Sequence, residues 1–289
     1  MQVDVNGTRL WFDVDGQALV PAGSEMRQRP TVVLVHGGPG SYDHSYFKPD
    51  FARLTEHAQV VYLDLSGHGR STWGDAAAWT VEACADDIRV FCDALGIARP
   101  IVFGHSMGAP IVLLYGARHP GHAAGLVVQS GFARFDVPRL VEGFRAVAGD
   151  EVAELAGRSF RGESVSDEEW ARVYPAFGTR VPDEEQLART PRNVELNAHG
   201  MELMRRLDII DLLSLVESPT LVSVGRLDPV TPVAAAEEIV RALPEGVAQL
   251  EVVEGAGHFT WLDAPDRFWP LIIEFIHTAS EPGALAPSR

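Results

Sequence analysis

Positive charge is scarce in this sequence, cysteine is nearly absent, and long apolar runs are missing. The 24 Lys and Arg residues stand against 40 Asp and Glu, a formal net charge of −16. Nucleic acids and anionic membranes are held through clustered cations, so this balance excludes both as expected partners. No apolar stretch approaches the roughly 20 residues that span a bilayer. The N-terminus, MQVDVNGTRLWFDVDG, lacks the basic start and apolar core of a signal peptide, which gives a cytoplasmic expectation. Cys84 and Cys92 are the two cysteines. On a helix around VEACADDIRVFCDALG they lie about 12 Å apart along the axis. A disulfide needs Cα atoms closer than about 7 Å, so both are expected as reduced, buried thiols. Histidine is better represented, with 10 residues, yet no pair has the H-x-x-x-H spacing of helical metal ligands. No metal site is expected.

The 289 residues suffice for one large α/β domain carrying an insertion. Short β-branched runs alternate with helical patterns, the mark of a mostly parallel twisted sheet covered by helices. VDVNG and RLWFDVDG read as an antiparallel N-terminal hairpin. TVVLVHG, QVVYLDLSG, PIVFGHS and GLVVQSG read as buried strands, with helices over VEACADDIRVFCDALGI and MGAPIVLLYGARHP. From 132 to 215 strong strand runs cease. Only helical pieces remain, one opened by a capping box of Ser166 and Glu169. This segment reads as a helical cap on a core formed by 1–131 and 216–280. Strand–helix alternation resumes with TLVSVG, AAAEEIVRALP, AQLEVVEG and APDRFWPLIIEFIHTAS, and 281–289 reads as a flexible tail.

GHSMG, residues 104–108, is a G-x-S-x-G set between an apolar strand and a helix. A nucleophile elbow needs that context, because the strained turn requires nearly side-chain-free neighbours two residues before and after the serine. A glycine-rich β–α turn is the bland alternative. A serine hydroxyl attacks only when a base takes its proton and an acid orients that base. In this architecture the chain order is Ser, acid, His. Asp228 follows the strand TLVSVG, and His258 follows QLEVVEG. Both fall at the C-terminal edge of the sheet, where such sites are built. His36 reads as a brace for the neighbouring glycine turn, and His68 falls in a loop packed near the site.

HGGPG, residues 36–40, follows TVVLV. It is a turn, but one that can present backbone amides to a developing oxyanion. Met107, after the serine, should supply one donor. Pro39 has no N–H, so the other is Gly37 or Gly38, with Gly38 preferred.

Together HGGPG, DLSGHGRS, GHSMG, VGRLDPVTP and GAGH resemble the proline iminopeptidase family of α/β-hydrolases over nearly the whole chain. The resemblance implies an α/β-hydrolase fold, no cofactor, and removal of N-terminal residues from short peptides. It implies a triad of Ser106, Asp228 and His258, with oxyanion donors at Gly38 and Met107. It also implies cap carboxylates for the substrate ammonium, one of which matches Glu195. Two positions depart from the family pattern. Ala109 stands where a second glycine follows the elbow. Pro229 stands where an ammonium-binding glutamate follows the catalytic aspartate. Trp170, Tyr174 and Phe177 could line the substrate pocket together with Gly37, or form the core of the cap. The expected partner is a small molecule or short peptide. An esterase or lactonase on the same scaffold is the alternative, and a non-catalytic binding protein has no need of the triad.

Overall fold

The computed structural model describes residues 1–281, apart from Pro49, Asp183 and the side chains of Glu184 and Gln186. All but the first residue of the expected tail lies outside the described residues. The chain begins with β1 (Gln2–Val5) and β2 (Thr8–Asp15), joined antiparallel by Asn6 and Gly7 at φ 48° and 81°. Positive φ at both turn residues gives the twist that a two-residue hairpin needs. A second, exposed hairpin pairs β3 (Leu19–Ala22) with β4 (Glu25–Gln28), and sequence patterning does not signal it.

The remaining strands are β5 (Thr31–Val35), β6 (Gln59–Leu63), β7 (Ile101–His105), β8 (Gly125–Gln129), β9 (Thr220–Gly225) and β10 (Ala248–Val253). They form one eight-stranded sheet, ordered β1-β2-β6-β5-β7-β8-β9-β10. Every pairing from β6 to β10 is parallel, and β2 meets β6 antiparallel. The central strands β5, β7, β8 and β9 are buried along their length. Alternate side chains therefore feed two cores. Val33 and Val35 face the helices α1 (Val81–Ala94) and α2 (Gly108–Arg118). Val32 and Leu34 face an aromatic cluster with Phe51, Phe103, Trp261 and Phe268. Cys84 and Cys92 are free and buried on α1, where burial pushes the Cys92 thiol up to about 12.

Between β8 and β9 lie α3 (Val137–Arg161), α4 (Asp167–Val173), α5 (Glu184–Ala188) and α6 (Val194–Arg206). Ser166 and Glu169 form the capping box of α4. The apolar rhythm of NAHGMELMRRLDIIDLL reads as one helical piece, but the helix breaks after Arg206 and the chain resumes as a short 3-10 turn, Ile210–Leu215. α7 (Val233–Ala242), α8 (Thr260–Asp263) and α9 (Pro265–Ser280) complete the described chain. None of the described helices is long and apolar enough to cross a membrane.

Candidate active site

Ser106 sits directly between β7 and α2 with φ +56°, a conformation uncommon for a residue with a side chain. The glycines around it are there for space. A Cβ on Gly104 would stand 2.4 Å from the Gly108 carbonyl oxygen, and one on Gly108 would stand 2.3 Å from that of Val35. The elbow closes only because both lack a side chain. Ala109 packs in turn against Gly131, where an added Cβ would lie 2.2 Å from the alanine methyl. Gly131 thus supplies the room that an alanine after the elbow requires.

Asp228 and His258 come together after β9 and β10. His258 Nδ1 lies 2.9 Å from Asp228 Oδ2, and both side chains are buried. The carboxylate is fully occupied. Oδ1 accepts from the amides of Val230 (2.9 Å) and Thr231 (3.0 Å), and Oδ2 also accepts from the Thr231 hydroxyl (2.7 Å). Those donors fix the aspartate, so the imidazole must present its Nδ1–H to it and leave Nε2 as the free acceptor. Ser106 Oγ makes no hydrogen bond to His258 among the described residues. The two meet through His105, whose ring centroid lies 4.8 Å from that of His258.

HGGPG packs onto the elbow: a Cβ on Gly37 would stand 2.9 Å from that of Ser106. The amides of the loop can be accounted for one by one. Gly37 N–H donates to the Tyr46 hydroxyl at 2.8 Å, and Gly40 N–H donates to His68 Nε2 at 2.8 Å. Pro39 has none. Gly38, at φ +54° and half-buried, keeps an N–H with no protein acceptor among the described residues, as does Met107. Gly37 is buried, and its carbonyl accepts from His36 Nδ1 at 2.9 Å, so both of its backbone groups are spent. It supports the elbow, and its N–H is not available as the oxyanion donor that the sequence leaves open beside Gly38. His36 also accepts the Leu65 amide through Nε2 at 3.2 Å, which makes it a brace of the turn. Burial pulls the His68 pKa down to about 3, so it stays neutral and able to accept from Gly40.

Asp64 holds the next loop. It accepts from the amide of His44 (3.0 Å), His44 Nδ1 (2.6 Å) and the amide of Arg70 (2.9 Å). Burial raises its pKa, but the hydrogen bond and charge of His44 outweigh that and hold it below the ordinary value. Asp43, His44 and Asp64 cluster closely enough for a metal. The His44 nitrogen nearest Asp64 is already its hydrogen-bond donor, so the trio is a brace.

The helices between β8 and β9 touch all three loops. Phe177 sets its ring edge-on to His258 at 5.6 Å, and its carbonyl accepts the His258 amide at 2.6 Å. Trp170 and Tyr174 pack on Phe177 at 6.0 and 5.5 Å. Tyr42 packs on the glycine loop itself, and a Cβ on Gly38 would stand 2.3 Å from its ring. Asn193 and Asn197 were not singled out in the sequence, yet they tie α6 to HGGPG. Asn193 N–H donates to the Gly40 carbonyl (2.8 Å), and Asn197 Nδ2 donates to the Pro39 carbonyl (2.8 Å). Asp263 ties the loop before His258 to the segment after Phe177, accepting from the Gly257 amide (2.7 Å) and the Arg180 amide (2.7 Å).

Glu195 falls elsewhere. Asn193, Leu196, Asn197 and Gly200 pack inward, which turns position 195 to the opposite side of the helix. Glu195 is exposed there, so the ammonium-binding role suggested by resemblance is corrected. Pro229 is buried against α3, and a Cβ on Gly143 would stand 2.5 Å from its carbonyl oxygen.

Comparison with known proteins agrees with this architecture. A protein of Caulobacter sp. (strain K31) named as the carbamate hydrolase RutD is 27% identical over 274 residues, covering 91% of this chain and 96% of its own. The proline iminopeptidase of Thermoplasma volcanium is 24% identical, covering 86% of this chain and 89% of its own. The crystal structure of VinJ superposes with a TM-score of 0.78 at 27% identity, covering 96% of this chain and 98% of that one. The resemblance to proline iminopeptidases thus holds at the level of a larger family that also contains hydrolases of other bonds. The family model for the alpha/beta hydrolase fold matches residues 30–265, and the chain belongs to that family.

Proposed function

We propose that the chain is a cofactor-independent serine hydrolase that cleaves an ester or amide through an acyl-enzyme. Ser106 attacks the carbonyl, and His258 accepts its proton at Nε2 and returns it to the leaving group. Asp228 holds the imidazole in the tautomer that this requires. The amides of Gly38 and Met107 receive the oxyanion, and water repeats the sequence to release the acid. Residues 132–215 act as a cap over the core formed by 1–131 and 216–280.

One observation carries the reading. Gly37 and Gly40 have their N–H groups committed, and the unspent one belongs to Gly38, beside a serine in a strained elbow. A turn that served only to reverse the chain has no need to keep a single donor free there.

The substrate side supports an uncharged, partly apolar acyl or alcohol group. Phe177 reaches His258, and Trp170 and Tyr174 extend the aromatic surface behind it. Neither position suggested for an ammonium-binding carboxylate provides one, since Glu195 points outward and position 229 is proline. Relatives at similar distance are named for different bonds, so the reading rests on the site. A panel of p-nitrophenyl esters with free and N-acetylated prolyl p-nitroanilides tests it. Esters should turn over, and acetylation should change kcat/KM by no more than a few-fold. A hundredfold loss on acetylation would restore the iminopeptidase reading.

A further inference from the structure

Tyr46 lies in a short turn, His44–Phe47, and has no role in the chemistry above. It is buried, stacked on Phe47 at 4.4 Å and on Trp261 at 6.2 Å, so its ring is held by aromatic packing. Its hydroxyl accepts the Gly37 amide at 2.8 Å and lies 2.9 Å from His105 Nδ1. The other nitrogen of His105, Nε2, lies 3.1 Å from the carbonyl oxygen of His258. These contacts assign every proton. A carbonyl only accepts, so His105 carries its hydrogen on Nε2. Its Nδ1 is then the acceptor, and the Tyr46 O–H donates to it. The Tyr46 oxygen still accepts from Gly37, so each group is used once.

We propose that Tyr46 and His105 are positioning residues, forming a relay that holds the oxyanion amide of Gly38 and the imidazole of His258 in one frame. The proposal rests on the triad reading given above. The relay joins residues 37, 46, 105 and 258, which stand on four separate segments. Fixing the Gly37 amide turns the next peptide so that Gly38 N–H stays unspent. Fixing the His258 carbonyl, while the Phe177 carbonyl holds its amide at 2.6 Å, leaves that backbone no freedom. Burial holds the His105 pKa well below the ordinary value, so Nδ1 remains an acceptor over the range in which a catalytic histidine works. Neither residue touches the reacting atoms. Both set the separation between the base and the oxyanion donor, where an error of about 1 Å costs on the order of a hundredfold in rate.

Tyr46→Phe keeps the packed ring and deletes only the hydroxyl. With rates normalised by active-site titration, kcat for a p-nitrophenyl ester should fall about 10- to 100-fold while KM stays within about threefold. His105→Leu should fall similarly, and His105→Gln, which keeps an N–H for the His258 carbonyl, should recover part of the loss. Inactivation by a fluorophosphonate should slow in parallel. If Tyr46→Phe has the wild-type kcat, or a raised KM alone, Tyr46 is simply a core residue and the relay is wrong. Equal rates for the Leu and Gln variants would remove His105 from it. A Ser106→Ala protein that still turns over would instead overturn the triad reading, whatever the Tyr46 result.

Discussion

Asp228→Asn removes one charge at nearly constant shape, and the surroundings dictate how the new amide must sit. The Oδ1 position faces the amides of Val230 and Thr231, which can only donate. The carboxamide oxygen must occupy it. Its NH2 then takes the Oδ2 position, facing the Thr231 hydroxyl at 2.7 Å and His258 Nδ1 at 2.9 Å. The hydroxyl can rotate and accept. The imidazole can accept only by moving its proton to Nε2, the nitrogen that must receive the proton of Ser106. A triad with its histidine in the wrong tautomer loses about 10⁴ in kcat, or about 5.4 kcal/mol of barrier at 1.36 kcal/mol per decade. The fold should persist, because the Asn oxygen still satisfies both buried amides. The assay is kcat for a p-nitrophenyl ester at pH 7–8, with circular dichroism to confirm the fold and proton NMR to follow the downfield imidazole N–H. A folded variant within tenfold of the wild-type kcat would refute the assignment of Asp228.

Gly38→Ala would place a methyl 2.3 Å from the Tyr42 ring at a φ of +54°. The displaced peptide should lower kcat about 100-fold or more, as loss of one oxyanion donor does, whereas Gly74→Ala, at φ +60° with open space around it, should cost stability alone. Wild-type kcat in a Gly38→Ala protein would remove that amide from the oxyanion site. Acid sensitivity follows from His68, whose pKa is depressed to about 3 from an unfolded value of 6.5. Between those values the unfolded chain binds the proton and the native one does not, so stability falls as pH drops below about 6.5. At pH 5 this one residue should contribute a loss of roughly 2 kcal/mol. Urea melts at pH 7.5 and pH 5 should show the loss, and His68→Gln should reduce it. An unchanged pH slope in that variant would contradict the buried, neutral state.

The sheet, the elbow and the positions of Asp228 and His258 were legible because each rests on local chemistry. β-branched runs made the central strands, and the glycines of GHSMG met a steric need within five residues. What escaped depends on distant partners. HGGPG alone prefers Gly38 but leaves Gly37 open as a donor. The choice is made by Tyr46, which claims the Gly37 amide from another segment. Glu195 looked suitable by alignment, but the facing of α6 is set by Asn193 and Asn197 binding the Pro39–Gly40 turn. The β3–β4 hairpin was invisible because its residues are mostly exposed and show no alternating pattern. The break after Arg206 was missed because LDIIDLL continues a helical apolar rhythm, while the packing there selects a separate 3-10 turn.

The central claim is that Ser106 is the nucleophile, and covalent trapping tests it most directly. Incubation with a fluorophosphonate, followed by peptide mass spectrometry, should place one adduct on Ser106 and none elsewhere. Ser106→Ala should take up no label and show no turnover. Stoichiometric labelling of the Ser106→Ala protein, or an adduct on another residue of the active wild type, would contradict the account.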